Sequence, residues 1–94
     1  MAGRQWEFRG LFRVGRNPNQ DVFLDDASVS KQHAEVQPNP QGWVIRDLGS
    51  TNGTYVNGVR LGKNAWKLRA SDVIQCGNVG LAVAPATVNV PATY

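Results

Sequence analysis

The pair Asn57-Gly58 stands between Thr54-Tyr55-Val56 and Val59-Arg60-Leu61. Asn-Gly between β-forming triplets commits a chain to a tight hairpin, because both turn residues must take positive φ and few other pairs tolerate it. The same alternation of short apolar run and turn recurs along the chain. Turn chemistry lies at Asn17-Pro18-Asn19, Asp25-Asp26, Pro38 to Gly42, Asn52-Gly53, Gly62-Lys63-Asn64 and Gly77-Asn78. Between these turns the residues read as strands: Gln5 to Phe8, Leu11 to Val14, Val22 to Leu24, His33 to Gln37, Trp43 to Asp47, Thr54 to Val56, Val59 to Leu61, Asp72 to Cys76 and Leu81 to Ala84, with Trp66 to Leu68 as a further candidate. Almost none of these runs sustains the 3.6-residue period of an amphipathic helix.

Many short strands at this spacing predict an all-β sandwich of two antiparallel sheets. Its core would draw on alternate residues such as Val14, Leu24, Val36, Ile45, Val56, Ile74 and Val83. With 94 residues there is room for a single core, which excludes a two-domain enzyme. The domain is expected over residues 3–84. Residues 85–94 carry Pro85, Pro91 and the β-prone Thr87-Val88-Asn89-Val90, and read as a linker or an extra edge strand.

The charge balance of +3 comes from lysines and arginines scattered along the chain, with no run of five like charges. A basic tail for nucleic acid or membrane is therefore not expected. Cys76 has no second cysteine to pair with and lies in the apolar run Val73 to Cys76, which points to a buried thiol and a reducing, cytoplasmic setting. No apolar stretch approaches the ~18 residues of a membrane span, and no export leader is expected.

Unusual polar residues gather in three segments: Gly15-Arg16, Ser28 to His33, and Gly49 to Thr54. Loops at one end of a sandwich can converge. Together these would supply a guanidinium, hydroxyls, an ammonium, an amide and glycine-exposed backbone N–H groups. Such a donor-rich site suits an anion, and phosphate above others, because an arginine fork and hydroxyls can share its oxygens.

The ordered set Gly15-Arg16, Ser30-x-x-His33, Asp47 to Thr54, Val56-Asn57-Gly58 and Asp72-Val73-Ile74 followed by Gly77 resembles the forkhead-associated (FHA) domain over roughly residues 3–84. The resemblance implies a sandwich of about eleven strands that binds phosphothreonine peptides through loops at one end. It implies that Arg16 pairs with the phosphate, Ser30 donates its hydroxyl, Lys31 contacts it through backbone or side chain, and Thr51 completes the cradle. Asn52 would bond the peptide backbone and fix its register. Gly15 and His33 would support the loops, with Asp47, Gly53 and Asn57 as further framework residues. The implied partner is a threonine-phosphorylated protein or a segment of the parent polypeptide, with no cofactor.

Other readings of the same residues are weaker. Ser30, His33 and Asp47 contain the residue types of a hydrolase triad, but no G-x-S-x-G turn surrounds Ser30. One histidine and one cysteine fall short of a zinc set, and Asp25-Asp26 lacks the oxygen ladder of a calcium loop. Asn52-Gly53-Thr54 matches a glycosylation acceptor that a reducing compartment leaves unused. A phosphate-independent assembly module with the same fold is the alternative from another class.

Two departures from the FHA pattern stand out. Where strongly selective members carry a residue that reads the third position after phosphothreonine, this chain has Ser28, so the flanking preference is not legible. The family's first strand has no counterpart ahead of Arg4 to Phe8, which leaves an edge to be covered by Thr87 to Val90 folding back, or by a second copy as an edge-strand dimer, or else by a strand that precedes this sequence.

Overall fold

The computed structural model describes residues 5–83. Nine strands are present among them: β1 Phe12–Gly15, β2 Val22–Phe23, β3 Ala34–Asn39, β4 Gly42–Asp47, β5 Thr54–Val56, β6 Val59–Arg60, β7 Trp66–Leu68, β8 Val73–Cys76 and β9 Val79–Ala82. They form a five-stranded sheet in the order β2-β1-β3-β4-β7 and a four-stranded sheet in the order β6-β5-β8-β9. This is the expected two-sheet β-sandwich. The fold-back of Thr87 to Val90 lies outside the described residues.

Between the two sheets lie alternate residues of each. Val14, Val36 and Ile45 from the first sheet, and Val56, Ile74 and Cys76 from the second, are all buried. Leu24 and Val29, from the segment leading into β3, close one side. Six of the seven expected core residues are buried, and Val83 packs against their cluster half-covered. The Asn57-Gly58 hairpin forms as its chemistry demands, with Asn57 at φ 51 and Gly58 at φ 84, and it sets Val56 against Val59 in register.

Three local readings need correction. Gln5 to Phe8 forms no ladder among the described residues; its alternation instead seats Trp6 and Phe8 against the core, where the Phe8 ring stacks on Phe12 at 4.0 Å. β1 and β2 pair in parallel, not antiparallel, through Val14 with Val22 and Gly15 with Phe23. A short loop suffices for this because only two residues pair, so the chain must fall back just ~7 Å. The Pro38 to Gly42 turn is tighter than expected, since Pro38 and Asn39 still pair with Trp43 and Gly42.

Candidate functional site

Three loops meet at the end of the sandwich marked by the close of β1, the start of β3 and the start of β5. The first leaves β1 at Gly15. Its backbone is stitched to the segment before β3 by Arg16 N–H to Ser30 O at 2.9 Å and Asn17 N–H to Lys31 O at 3.2 Å. This approach needs glycine, since a Cβ at Gly15 would sit 2.1 Å from the Lys31 carbonyl oxygen. The Arg16 side chain then folds over the same segment, its Nε donating to Val29 O at 2.9 Å. Its two terminal nitrogens have no hydrogen bond within the described residues.

The segment before β3 is joined in turn to the loop between β4 and β5. Thr51 N–H donates to Ser30 Oγ at 3.0 Å, which leaves the hydroxyl hydrogen of Ser30 to point elsewhere. Asn52 Nδ2 donates to Ser28 O at 2.8 Å, so its Oδ1 and second amide hydrogen remain for a ligand. Thr51, Asn52 and Lys31 are all exposed.

His33 lies beneath this rim, fully buried. Its Nδ1 accepts from Ser30 N–H at 3.0 Å, and its Nε2 lies 2.8 Å from Gly53 O. A backbone N–H can only donate and a carbonyl can only accept, so the ring is the neutral tautomer protonated on Nε2. One imidazole thereby ties the Ser30 segment to the Asn52-Gly53 turn. The carbonyl of Gly53 also accepts Gly77 N–H at 3.2 Å, which brings in the β8–β9 turn.

Asp47 organises the remaining loop. Its carboxylate accepts Gly49 N–H at 2.9 Å, Ser50 N–H at 3.0 Å, Ser50 Oγ at 2.5 Å and Thr54 Oγ1 at 2.7 Å. Burial works to raise its pKa, but the bonds from Ser50, Thr54 and the backbone outweigh it and hold the carboxyl below its ordinary value. Ser50 Oγ in turn accepts Gly53 N–H at 2.9 Å. The residue types of a hydrolase triad are thus all committed elsewhere: Asp47 faces Ser50 and Thr54, and His33 meets the Ser30 backbone, not its hydroxyl.

The structure brings Gly15, Arg16, Ser30, Lys31, His33, Asp47, Thr51, Asn52 and Gly53 to this one end. Asn57 is the exception. It sits at the far end of β5, where its side chain bonds Asp72 Oδ1 at 2.9 Å and Val73 N–H at 2.9 Å. It therefore braces the opposite hairpin and not the loops. A depression of about 400 Å³ at that far end is lined by Asn57, Trp66, Lys67, Arg69 and Asp72.

Ser28, read from the sequence as part of a polar segment and as the flanking-preference position, and Gly77, read as the close of the family motif, also take a framework part at the site end. Ser28 Oγ donates to Asp26 Oδ1 at 2.6 Å and accepts Asn78 N–H at 2.8 Å. The Ser28 hydroxyl bond, followed by that from its backbone N–H, lowers the Asp26 pKa. A Cβ on Gly77 would come within 2.2 Å of Ser28 O. The Asp26-x-Ser28 spacing, an Asx turn, was the available signal.

The rim that results is a shallow surface rich in N–H and O–H donors, apt for a small anion with several oxygens attached to a chain lying across it. Comparison with known proteins bears on what that chain is. Over 68 residues the sequence is 48% identical to an oxoglutarate dehydrogenase inhibitor of Corynebacterium jeikeium, covering 72% of this chain and 46% of the relative. The chain thus spans just under half the length of that relative. A structure solved for a study of phosphothreonine-dependent FHA domain interactions is similar at TM-score 0.81 and 34% identity, over 89% of this chain and 86% of that one. Mycobacterium tuberculosis EmbR in complex with a low-affinity phosphopeptide is similar at TM-score 0.70 and 31% identity, over 82% of this chain and 21% of that one. With residues 12–77 matching the FHA domain, the chain belongs to the FHA domain family.

Proposed function

We infer that this domain binds threonine-phosphorylated peptides and docks their parent proteins downstream of a Ser/Thr kinase, with no chemistry of its own. The observation that carries this reading is the convergence of Arg16, Ser30, Lys31, Thr51 and Asn52 on one rim, with donors left over after their bonds within the described residues. Arg16 offers its two terminal nitrogens to the phosphate, Ser30 its hydroxyl hydrogen, Lys31 its ammonium and Thr51 its hydroxyl. Asn52, fixed through Ser28 O, presents its free amide atoms to the peptide backbone. The phosphothreonine belongs to a separate protein or to a segment of the domain's own parent polypeptide. The names of the relatives support the reading, since an enzyme inhibitor and a phosphopeptide complex both suit a domain that works by docking.

Charge-assisted hydrogen bonds contribute roughly 1.5–3 kcal/mol each, so three or four support about micromolar affinity once ordering costs are subtracted. The methyl group that separates phosphothreonine from phosphoserine is worth about 1–3 kcal/mol in a fitted niche. Fluorescence polarisation against phosphothreonine, phosphoserine and unphosphorylated peptide pools at near-physiological salt tests the reading. Saturable binding that favours phosphothreonine is expected. Equal binding to all three pools would replace it with phosphate-independent assembly.

A further inference from the structure

We propose that Arg60 is a specificity contact that reads an acidic side chain of the partner beside the phosphothreonine. The proposal rests on the phosphothreonine reading and extends it to the flanking sequence, where the residue two before Ser30 gives no guide: the Ser28 hydroxyl is consumed by Asp26 and Asn78.

Arg60 ends β6, an edge strand of the second sheet, and pairs with Tyr55 of β5. Its side chain reaches from there towards the loop end. A Cβ built on Gly53 would lie 2.8 Å from Arg60 Nε and 3.0 Å from its Cζ. The guanidinium therefore rests against the backbone directly after Asn52, in space that only glycine leaves open.

Arg60 is exposed, and no carboxylate among the described residues pairs with it. Two other arginines show the contrast. Arg13 and Arg46 both grip Glu35, at 3.0 and 2.8 Å. The carboxylate nearest in the loop framework, that of Asp47, already accepts four hydrogen bonds. Arg60 is thus an exposed cation lying against Gly53, beside the residue assigned to the peptide backbone and with no carboxylate partner among the described residues. It lies against Gly53, the residue that follows Asn52, and would therefore meet partner residues that flank the phosphothreonine. A carboxylate there would complete a guanidinium fork.

The test uses wild type, Arg60→Ala and Arg60→Glu with phosphothreonine peptides whose flanks are neutral, or carry one Glu, or one Lys, at each of three positions on either side. Wild type should favour Glu at one or two positions by roughly two- to fivefold, the range of a solvent-exposed ion pair. Arg60→Ala should bind the neutral peptide as wild type does and lose the Glu preference. Arg60→Glu should favour Lys at the same positions. A wild type indifferent to Glu everywhere, or a Glu preference that survives Arg60→Ala, would overturn the proposal while leaving the phosphothreonine reading intact. If wild type binds no phosphothreonine peptide at all, the underlying reading falls first.

Discussion

Arg16 commits part of its guanidinium to the protein: Nε holds Val29 O at 2.9 Å, while the terminal nitrogens have no hydrogen bond among the described residues. Arg16→Ala should therefore cost about 2–5 kcal/mol of phosphopeptide affinity by titration. Its melting temperature should move far less, since one part-buried bond to a carbonyl is lost. Arg16→Lys should rescue little, because an ammonium cannot bond Val29 O and fork a phosphate together. Gly15→Ala should fail differently. Its added methyl meets a backbone oxygen, which cannot swing aside, so a loss of about 1–3 kcal/mol of stability by denaturant titration is expected together with weakened binding. Cys76 shows what burial does to a nucleophile. Burial, helped by the charge of Asp47, pushes its thiol up to about 12. At pH 8 iodoacetamide should leave the native protein unlabelled and modify Cys76 only as denaturant unfolds it.

At the scale of elements, the β8–β9 turn is fastened to the segment before β3 through Ser28. Ser28→Ala removes the hydroxyl that serves both Asp26 and Asn78. It should lower the melting temperature modestly, since water can replace the lost partner at both groups, and weaken phosphopeptide binding although Ser28 is given no contact with phosphate. Apart from Gln5 to Phe8, the strands were legible, because Asn-Gly and Gly-Asn turns fix where ladders end. The parallel β1–β2 pair was not, as strand direction depends on where a loop returns and not on side-chain alternation. In the same way, the family resemblance made Asn57 look like part of the binding framework. Three strand residues, however, carry the chain to the other end of the sheet. Arg16, Ser30 and Asn52 were legible as a set because an anion site needs donors that few other purposes gather. Arg60 was not, since only the close approach to Gly53 places it there.

For the molecule as a whole, four carboxyls, Asp26, Glu35, Asp47 and Asp72, are held below their ordinary values. The Arg46 bond leads at Glu35, and the Arg69 backbone N–H leads at Asp72. A depressed folded value stabilises the native state above the unfolded value and loses that contribution as pH falls through the folded one. Melting temperature should therefore hold level from about pH 7 to 5 and drop below about pH 4. A melting curve that rose on acidification would contradict the carboxylate bonding. The carbonyl of Gly53 carries a different kind of consequence. It receives the His33 ring at 2.8 Å and the Gly77 amide at 3.2 Å, so segments far apart in the chain are keyed to one oxygen. Loops with such a shared key cannot be exchanged one at a time. Anyone transplanting the recognition of another domain onto this scaffold would have to move the set together, as a single inherited unit.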